Sequence, residues 1–154
     1  MMRKQVIRSN LEDLIDLLRE ARSADPRVAS ATAQYACVSA NGHLEEYLKN
    51  SMVDFFRNRC DPNALRIVKK SVAGYYNFKQ ERVILFFNEM RPDRKEAVKG
   101  CFLVRENLGD ALGSIVGNKN TVGHTGTSSI TPIRVIQWLE EVVGSLDELD
   151  RAGF

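Results

Sequence analysis

The sequence predicts an all-α fold, a helical bundle of about five to six helices in one domain spanning residues 1–154. Three observations predict it. Apolar residues recur at three- and four-residue spacing along most of the chain. Pro and Gly punctuate these stretches, with Ser, Thr or Asp at the cap positions. No sustained period-2 alternation, Gly-rich phosphate loop or internal repeat occurs.

The first helix is expected to open near Ser9, which with Glu12 has the S-x-x-E spacing of a capping box. Leu11, Leu14, Ile15, Leu18 and Ala21 follow at helical spacing. Asp25-Pro26 begins a second, long helix reaching the high fifties, since Pro suits a first turn. It carries Val28, Ala31, Tyr35, Val38, Leu44, Tyr47, Leu48, Met52, Phe55 and Phe56. Asn41-Gly42 interrupts it, and either a close helix crossing or a bend accounts for a small residue there. Asp61-Pro62 caps a third helix with Leu65, Val68, Val72 and Tyr76 on one face.

KQERVILFFNEM, residues 79–90, reads as a buried helix, because the rest of the chain offers a strand no partners. Arg91-Pro92-Asp93 is a break, followed by a short helix to about Gly100. Another helix is expected from about Phe102 to Val122, with Leu103, Leu108, Ala111, Leu112, Ile115 and Val116 facing inward. Gly109, Gly113 and Gly117 repeat along it at a spacing that suits close helix packing, within the chain or across a dimer. Residues 123–129 read as a polar loop. The last helix has the best start signal: Thr131 as cap, Pro132 in the first position, and Ile130 placed to pack on Val135. Val135, Leu139, Val142, Val143, Leu146 and Leu149 continue its stripe.

Length and composition narrow the function classes. A 154-residue chain can bury roughly two thirds of its unfolded surface, so it needs no disulfide or metal staple. No apolar run approaches the ~20 residues of a membrane span, and the charged N-terminal stretch has no apolar core behind it. A cytoplasmic location with no membrane partner is therefore expected. Cys37, Cys60 and Cys101 are odd in number and widely spaced, which points to free thiols and away from a zinc site. Neither a metal nor a cofactor is expected.

Net charge is only +2, but residues 57–82 carry seven basic residues against Asp61 and Glu81. Arg57, Arg59, Arg66, Lys69 and Lys70 are the candidate RNA-binding cations, with Tyr75 and Tyr76 interleaved for stacking. The competing reading is a solvated helix face with core tyrosines.

Of the two histidines, His43 lies within the long helix with nothing further to raise it. His124 ends a helix beside a Gly-rich polar segment. Asn120 lies within ~40° of it on the helix surface, and Lys119 about 140° away. Lys119 meets the other two only if the helix unwinds near Gly123 or the lysine arm wraps round.

SIVGNKNTVGHTG, followed by a polar gap and a Thr-capped helix, resembles the Arg-x4-6-His segment of HEPN domains. The likeness is closest to the branch reading roughly R-N-x-I-x-H-G before its last helix (RiboL-PSP-HEPN-like). Helix order agrees too, including Leu44-Glu45-Glu46-Tyr47-Leu48-Lys49 in an early long helix. In this alignment His124 matches the family His, Asn120 the polar residue after the Arg, and Lys119 stands where the family has Arg. Thr125 then Gly126 replace the small residue after His, and Glu45 matches an acid of the second helix.

The resemblance implies a metal-independent endoribonuclease of the defence or toxin type, acting on RNA as a homodimer with an antitoxin or defence-system partner. A histidine side chain, titrating ordinarily near ~6.5, can carry the proton of the 2′-hydroxyl or of the leaving oxygen. A cation offsets the phosphate charge, though lysine offers a point charge where arginine offers a planar fork. Two copies of Lys119, Asn120 and His124 would then share one cleft. Because of that lysine, a catalytically inactive HEPN-like domain serving dimerisation or RNA binding is the alternative. A helical interaction module unrelated to HEPN is a third reading.

Overall fold

In a computed structural model the described residues, 2–125 and 130–154, form seven α-helices and no strand. They are α1 (Met2–Ala21), α2 (Pro26–Arg57), α3 (Pro62–Ala73), α4 (Gln80–Met90), α5 (Lys95–Val104), α6 (Leu108–Thr125) and α7 (Pro132–Ala152), with a 3-10 turn at Pro92–Arg94 before α5. The count exceeds the five to six expected because the region before Leu108 holds a complete helix of its own.

Four helices set the frame, and their polar contacts give their directions. Lys4 at the start of α1 pairs with Asp147 (3.1 Å) and Asp150 (3.4 Å), while Arg19 at its end reaches Glu140 (3.1 Å), so α1 and α7 are antiparallel. Asn10 meets His43 across the α1–α2 hairpin, at 3.4 Å. The Tyr47 hydroxyl donates to the Phe154 carbonyl, setting the C-terminal halves of α2 and α7 side by side. Just before α6, Arg105 donates to the Gly144 carbonyl (2.7 Å) and pairs with Glu148 (2.9 Å). Farther along α6, Gly113 and Ser114 share a groove with Thr131 and Arg134, so α6 runs opposite to α7 and hence to α2.

The core between these helices holds Leu11, Leu18, Leu108, Ile115, Leu139 and Leu146, all fully enclosed. Tyr75, Phe78, Phe86 and Phe87 close one side of it with edge and stacked ring contacts. Gly153, at φ 112°, ends α7 in the left-handed conformation that glycine tolerates. The turn folds Phe154 back onto Phe87, with ring centres 4.9 Å apart.

Several sequence expectations are corrected. α1 does not open at Ser9; it is helical from Met2, because Ile7, one turn before Leu11, is buried and extends the apolar row upstream. α2 runs unbroken through Asn41-Gly42, and a side chain at Gly42 would meet open space, so no close crossing explains that glycine. The buried face of α2 is Ala33, Ala36, Cys37, Ala40, Asn41, Leu44, Tyr47, Leu48 and Met52. Val28, Ala31, Tyr35 and Val38 point outward.

α3 ends before Tyr76, so the helical register does not carry that far, and Tyr75 takes the buried place instead. The helix expected from Phe102 begins at Leu108. α5 stops at Val104, where Arg105 turns aside to reach α7, and this leaves Leu103 79% exposed rather than inward. The loop expected over 123–129 is helical as far as Thr125. Residues 126–129, including Gly126, and the side chain of Thr125 lie outside the described residues. The buried helix over 79–90 and the caps at Asp25, Asp61 and Thr131 stand as expected. Among the described residues, no helix is long and apolar enough to cross a membrane.

Candidate functional site

Lys119 sits in the last two turns of α6, half-buried, and its ammonium donates to the Asn77 side-chain oxygen at 3.0 Å. Asn77 lies in the connector between α3 and α4, with a left-handed φ of 56°. Its backbone N–H donates to Glu45 Oε1 at 2.8 Å. The same oxygen accepts from the side-chain amide of Asn41 at 3.0 Å, and Glu45 Oε2 lies 3.8 Å from the Lys49 ammonium.

Two residues that the sequence singled out, Glu45 and Lys119, thus meet through a residue it did not. Asn41 is only 5% exposed and Glu45 is half-buried, so the carboxylate is held by two hydrogen-bond donors and the nearby Lys49 charge in a partly desolvated place. Each of those contacts is stronger there than it would be in open water.

Asn120 and His124 lie one turn apart near the end of α6, half-buried and exposed respectively. α6 stays helical through Gly123 to Thr125, so the unwinding that would swing Lys119 toward His124 is absent. Within one chain the lysine turns to the Asn77 network and the imidazole turns to solvent. The structure brings Asn120 and His124 together on one face and sets Lys119 apart from them.

His43 has local partners: Ser39 at 3.3 Å, one turn earlier, and Asn10 of α1. These fix it in the α1–α2 contact as a structural residue.

The basic cluster divides. Arg57 pairs with Asp54 at 2.8 Å, and Arg59 donates to the Phe55 carbonyl at 2.6 Å with its guanidinium over the Phe55 ring. Arg66, Lys69 and Lys70 stand exposed on α3, opposite the inward Leu65, Val68 and Val72. Tyr75 is a core residue, whereas Tyr76 is 59% exposed. Arg82 lies over both rings, 4.9 Å from Tyr75 and 5.8 Å from Tyr76. Of the two tyrosines, Tyr76 is the exposed one, with Arg82 over its ring.

The glycine series also divides. A side chain at Gly109 would meet the flexible end of the Gln80 side chain, which can swing aside, so no close helix crossing explains that glycine. At Gly113 and Gly117 it would meet open space. Gly109 and Gly113 line a groove of about 890 Å³ with Lys79, Arg134 and Trp138, which includes none of Lys119, Asn120 and His124. All three cysteines are free. Burial pushes the Cys37 thiol up to about 12, and burial also raises that of Cys101.

Asn77 and Asn41 are the residues that sequence reasoning missed. The available signal for Asn77 was its type and place: an Asn shortly after the Gly74 helix end, where left-handed backbone is commonly needed. No family model, curated protein or solved structure matches the chain.

Proposed function

We propose that the chain is a metal-independent endoribonuclease of the defence or toxin type, HEPN-like, acting as a homodimer. Its composite site takes Lys119, Asn120 and His124 from each copy, with Glu45 as the supporting acid. The observation that carries this reading is the network through Asn77. Glu45 and Lys119, far apart in sequence and both singled out by the family resemblance, are joined by one residue beside the turn that bears Asn120 and His124.

The exposed imidazole is free to move a proton between the 2′-hydroxyl, the leaving 5′-oxygen and water. One imidazole serves a single transfer at a time, and a second copy supplies the other. The ammonium of Lys119, anchored by Asn77, offsets charge on the phosphate. Arg66, Lys69 and Lys70, with Tyr76 alongside, form an exposed track for the flanking strand. A chain of this type works in the cytoplasm, with an antitoxin or another defence-system protein as its partner.

A second reading has its own observation. α6 is unbroken past His124 and Lys119 is occupied by Asn77, so the two groups diverge in a single chain. This favours a catalytically inactive HEPN-like domain that dimerises or binds RNA.

One experiment separates the readings: incubation of a mixed RNA pool with the protein in chelator, for wild type, His124→Ala and Lys119→Arg. The nuclease reading expects cleavage by wild type, a loss of at least ~100-fold in His124→Ala, and retained or raised activity in Lys119→Arg. RNA bound but left intact by wild type selects the inactive reading.

A further inference from the structure

The groove between the start of α4, the first turns of α6 and the start of α7 lies apart from His124, yet its lining has a chemistry of its own. At about 890 Å³ it falls within the roughly 300–1,000 Å³ of ligand sites. Trp138, the only tryptophan in the chain, is half-buried; it packs on the core and also lines the groove. Lys79, Glu81, Asp110 and Arg134 line it as well, and among the described residues none of these side chains has a hydrogen-bond or ion-pair partner. The same holds for the Gln80 amide and the Trp138 indole N–H. A half-buried indole N–H ordinarily finds a partner, so an aromatic surface with its donor is left to a ligand.

The groups are laid out in order along the groove. Trp138 and Asp110 also line the adjoining hollow beside Asn107, which sets them at the end farther from His124, and Gln80 lies beside Gly109 at that end. Arg134 is one turn before Trp138, and α7 runs opposite to α6, so Arg134 stands on the His124 side of the indole. Asn120 and His124 lie within about 20° of Gly113 on the surface of α6, about 10 and 16 Å farther along. No side chain at Gly113 or Gly117 interrupts that line.

We propose that this groove holds one unpaired ribonucleotide of a bound strand. Its base lies on Trp138 with its edge at the Gln80 amide, its 2′-hydroxyl donates to Asp110, and its phosphate meets Arg134 and Lys79. Two cations and two carboxylates cancel, so a bare phosphate gains little here and an acidic peptide would meet Glu81 and Asp110. A ribonucleotide keeps its anion apart from its hydroxyls, and each meets a group of matching kind. From Arg134 the strand continues over Gly117 toward Asn120 and His124, which favours a nucleotide within a strand over a free one. The inference deepens the ribonuclease reading and rests on it for the claim that this strand is the one cut at His124.

The single tryptophan makes the test direct, because intrinsic fluorescence reports on the groove. The full chain carrying His124→Ala, which leaves the strand uncut, is titrated with an oligoribonucleotide of about 10 residues, its deoxy counterpart and adenosine monophosphate. Fluorescence should be quenched by the oligoribonucleotide, with the deoxy strand and the mononucleotide at least ~5-fold weaker. Arg134→Ala, at an exposed position, and Gly113→Phe, which fills open space, should each weaken binding at least ~10-fold with an unchanged helical circular dichroism spectrum. Asp110→Asn should narrow the preference for RNA over DNA. Binding seen by anisotropy of a labelled strand without any change at Trp138 overturns the proposal, because the strand then lies elsewhere. So do equal affinities for the ribo and deoxy strands, a mononucleotide bound as tightly as the strand, or no binding at ~1 mM. Cleavage by the wild-type chain is a separate readout: quenching as expected without cleavage sinks the ribonuclease reading and leaves the groove, and cleavage unaffected by Arg134→Ala and Gly113→Phe does the reverse.

Discussion

Asn77 is the residue on which the candidate site turns. Its left-handed φ is tolerated by Asn and Gly and strained for a β-branched side chain. Asn77→Gly keeps the backbone N–H to Glu45 and removes the oxygen that holds Lys119. Urea unfolding should change by no more than about 1 kcal/mol for Gly, whereas Asn77→Val should lose about 1–2 kcal/mol more. If Lys119 works on the phosphate, Asn77→Gly lowers RNA cleavage with the fold intact; unchanged cleavage would assign the network to stability alone.

Cys37 gives a second test at the same scale. Its thiol, enclosed and pushed up to about 12 from 9.0 in the open chain, stays neutral in the fold after the unfolded form has begun to ionise. A raised pKa means that its contribution to stability is whole below about pH 9 and is lost as pH rises toward 12. Urea midpoints should therefore hold level from pH 7 to 8.5 and fall above it, and less steeply in Cys37→Ala.

At the level of elements, the helix starts written as Asp-Pro and Thr-Pro are the best-determined features. Asp61 accepts from the backbone N–H of both Asn63 (2.8 Å) and Ala64 (3.1 Å), while Asp25 accepts from one, Arg27. Asp61→Ala should cost about 1 kcal/mol, read as a melting temperature lower by about 2–4 °C, with a smaller loss for Asp25→Ala. Equal losses would mean that the second bond contributes nothing.

Where the sequence misled, a long-range contact had overruled local pattern. Ser9 has the form of a cap, yet Ile7 is buried and Lys4 reaches α7, and these extend α1 past the signal. Phe102, Leu103 and Val104 read as the start of an inward helix, but the reach of Arg105 to Gly144 and Glu148 ends α5 there and turns Leu103 out. Neither contact partner is near in sequence, so no local window contains the information.

For the whole molecule, the two halves of α2 behave differently. Its C-terminal half buries Leu44, Tyr47, Leu48 and Met52 among α6, α7 and the aromatic cluster, and carries Glu45 into the polar network. Its N-terminal half packs through small residues and presents a charge-free seam outward. Tyr35→Glu is thus expected to leave the melting temperature at low concentration nearly unchanged, as surface substitutions generally do. A large drop in the melting temperature of the monomer would mean that Tyr35 supports the fold itself.

The sequence by itself determined the all-helical class, the presence and approximate place of most helices, and the caps at Asp25, Asp61 and Thr131. Those properties come from residues within a turn or two of one another, where backbone hydrogen bonding and apolar spacing are local. It also drew attention to Glu45, Lys119, Asn120 and His124 as residue types in a suggestive order. Only the tertiary structure decided which apolar row of α2 is covered, that Asn77 joins Glu45 to Lys119, and that His124 faces away from that lysine. Burial of one row over another is a competition among distant surfaces, and a left-handed bridge residue is fixed by the groups that hold it from both sides.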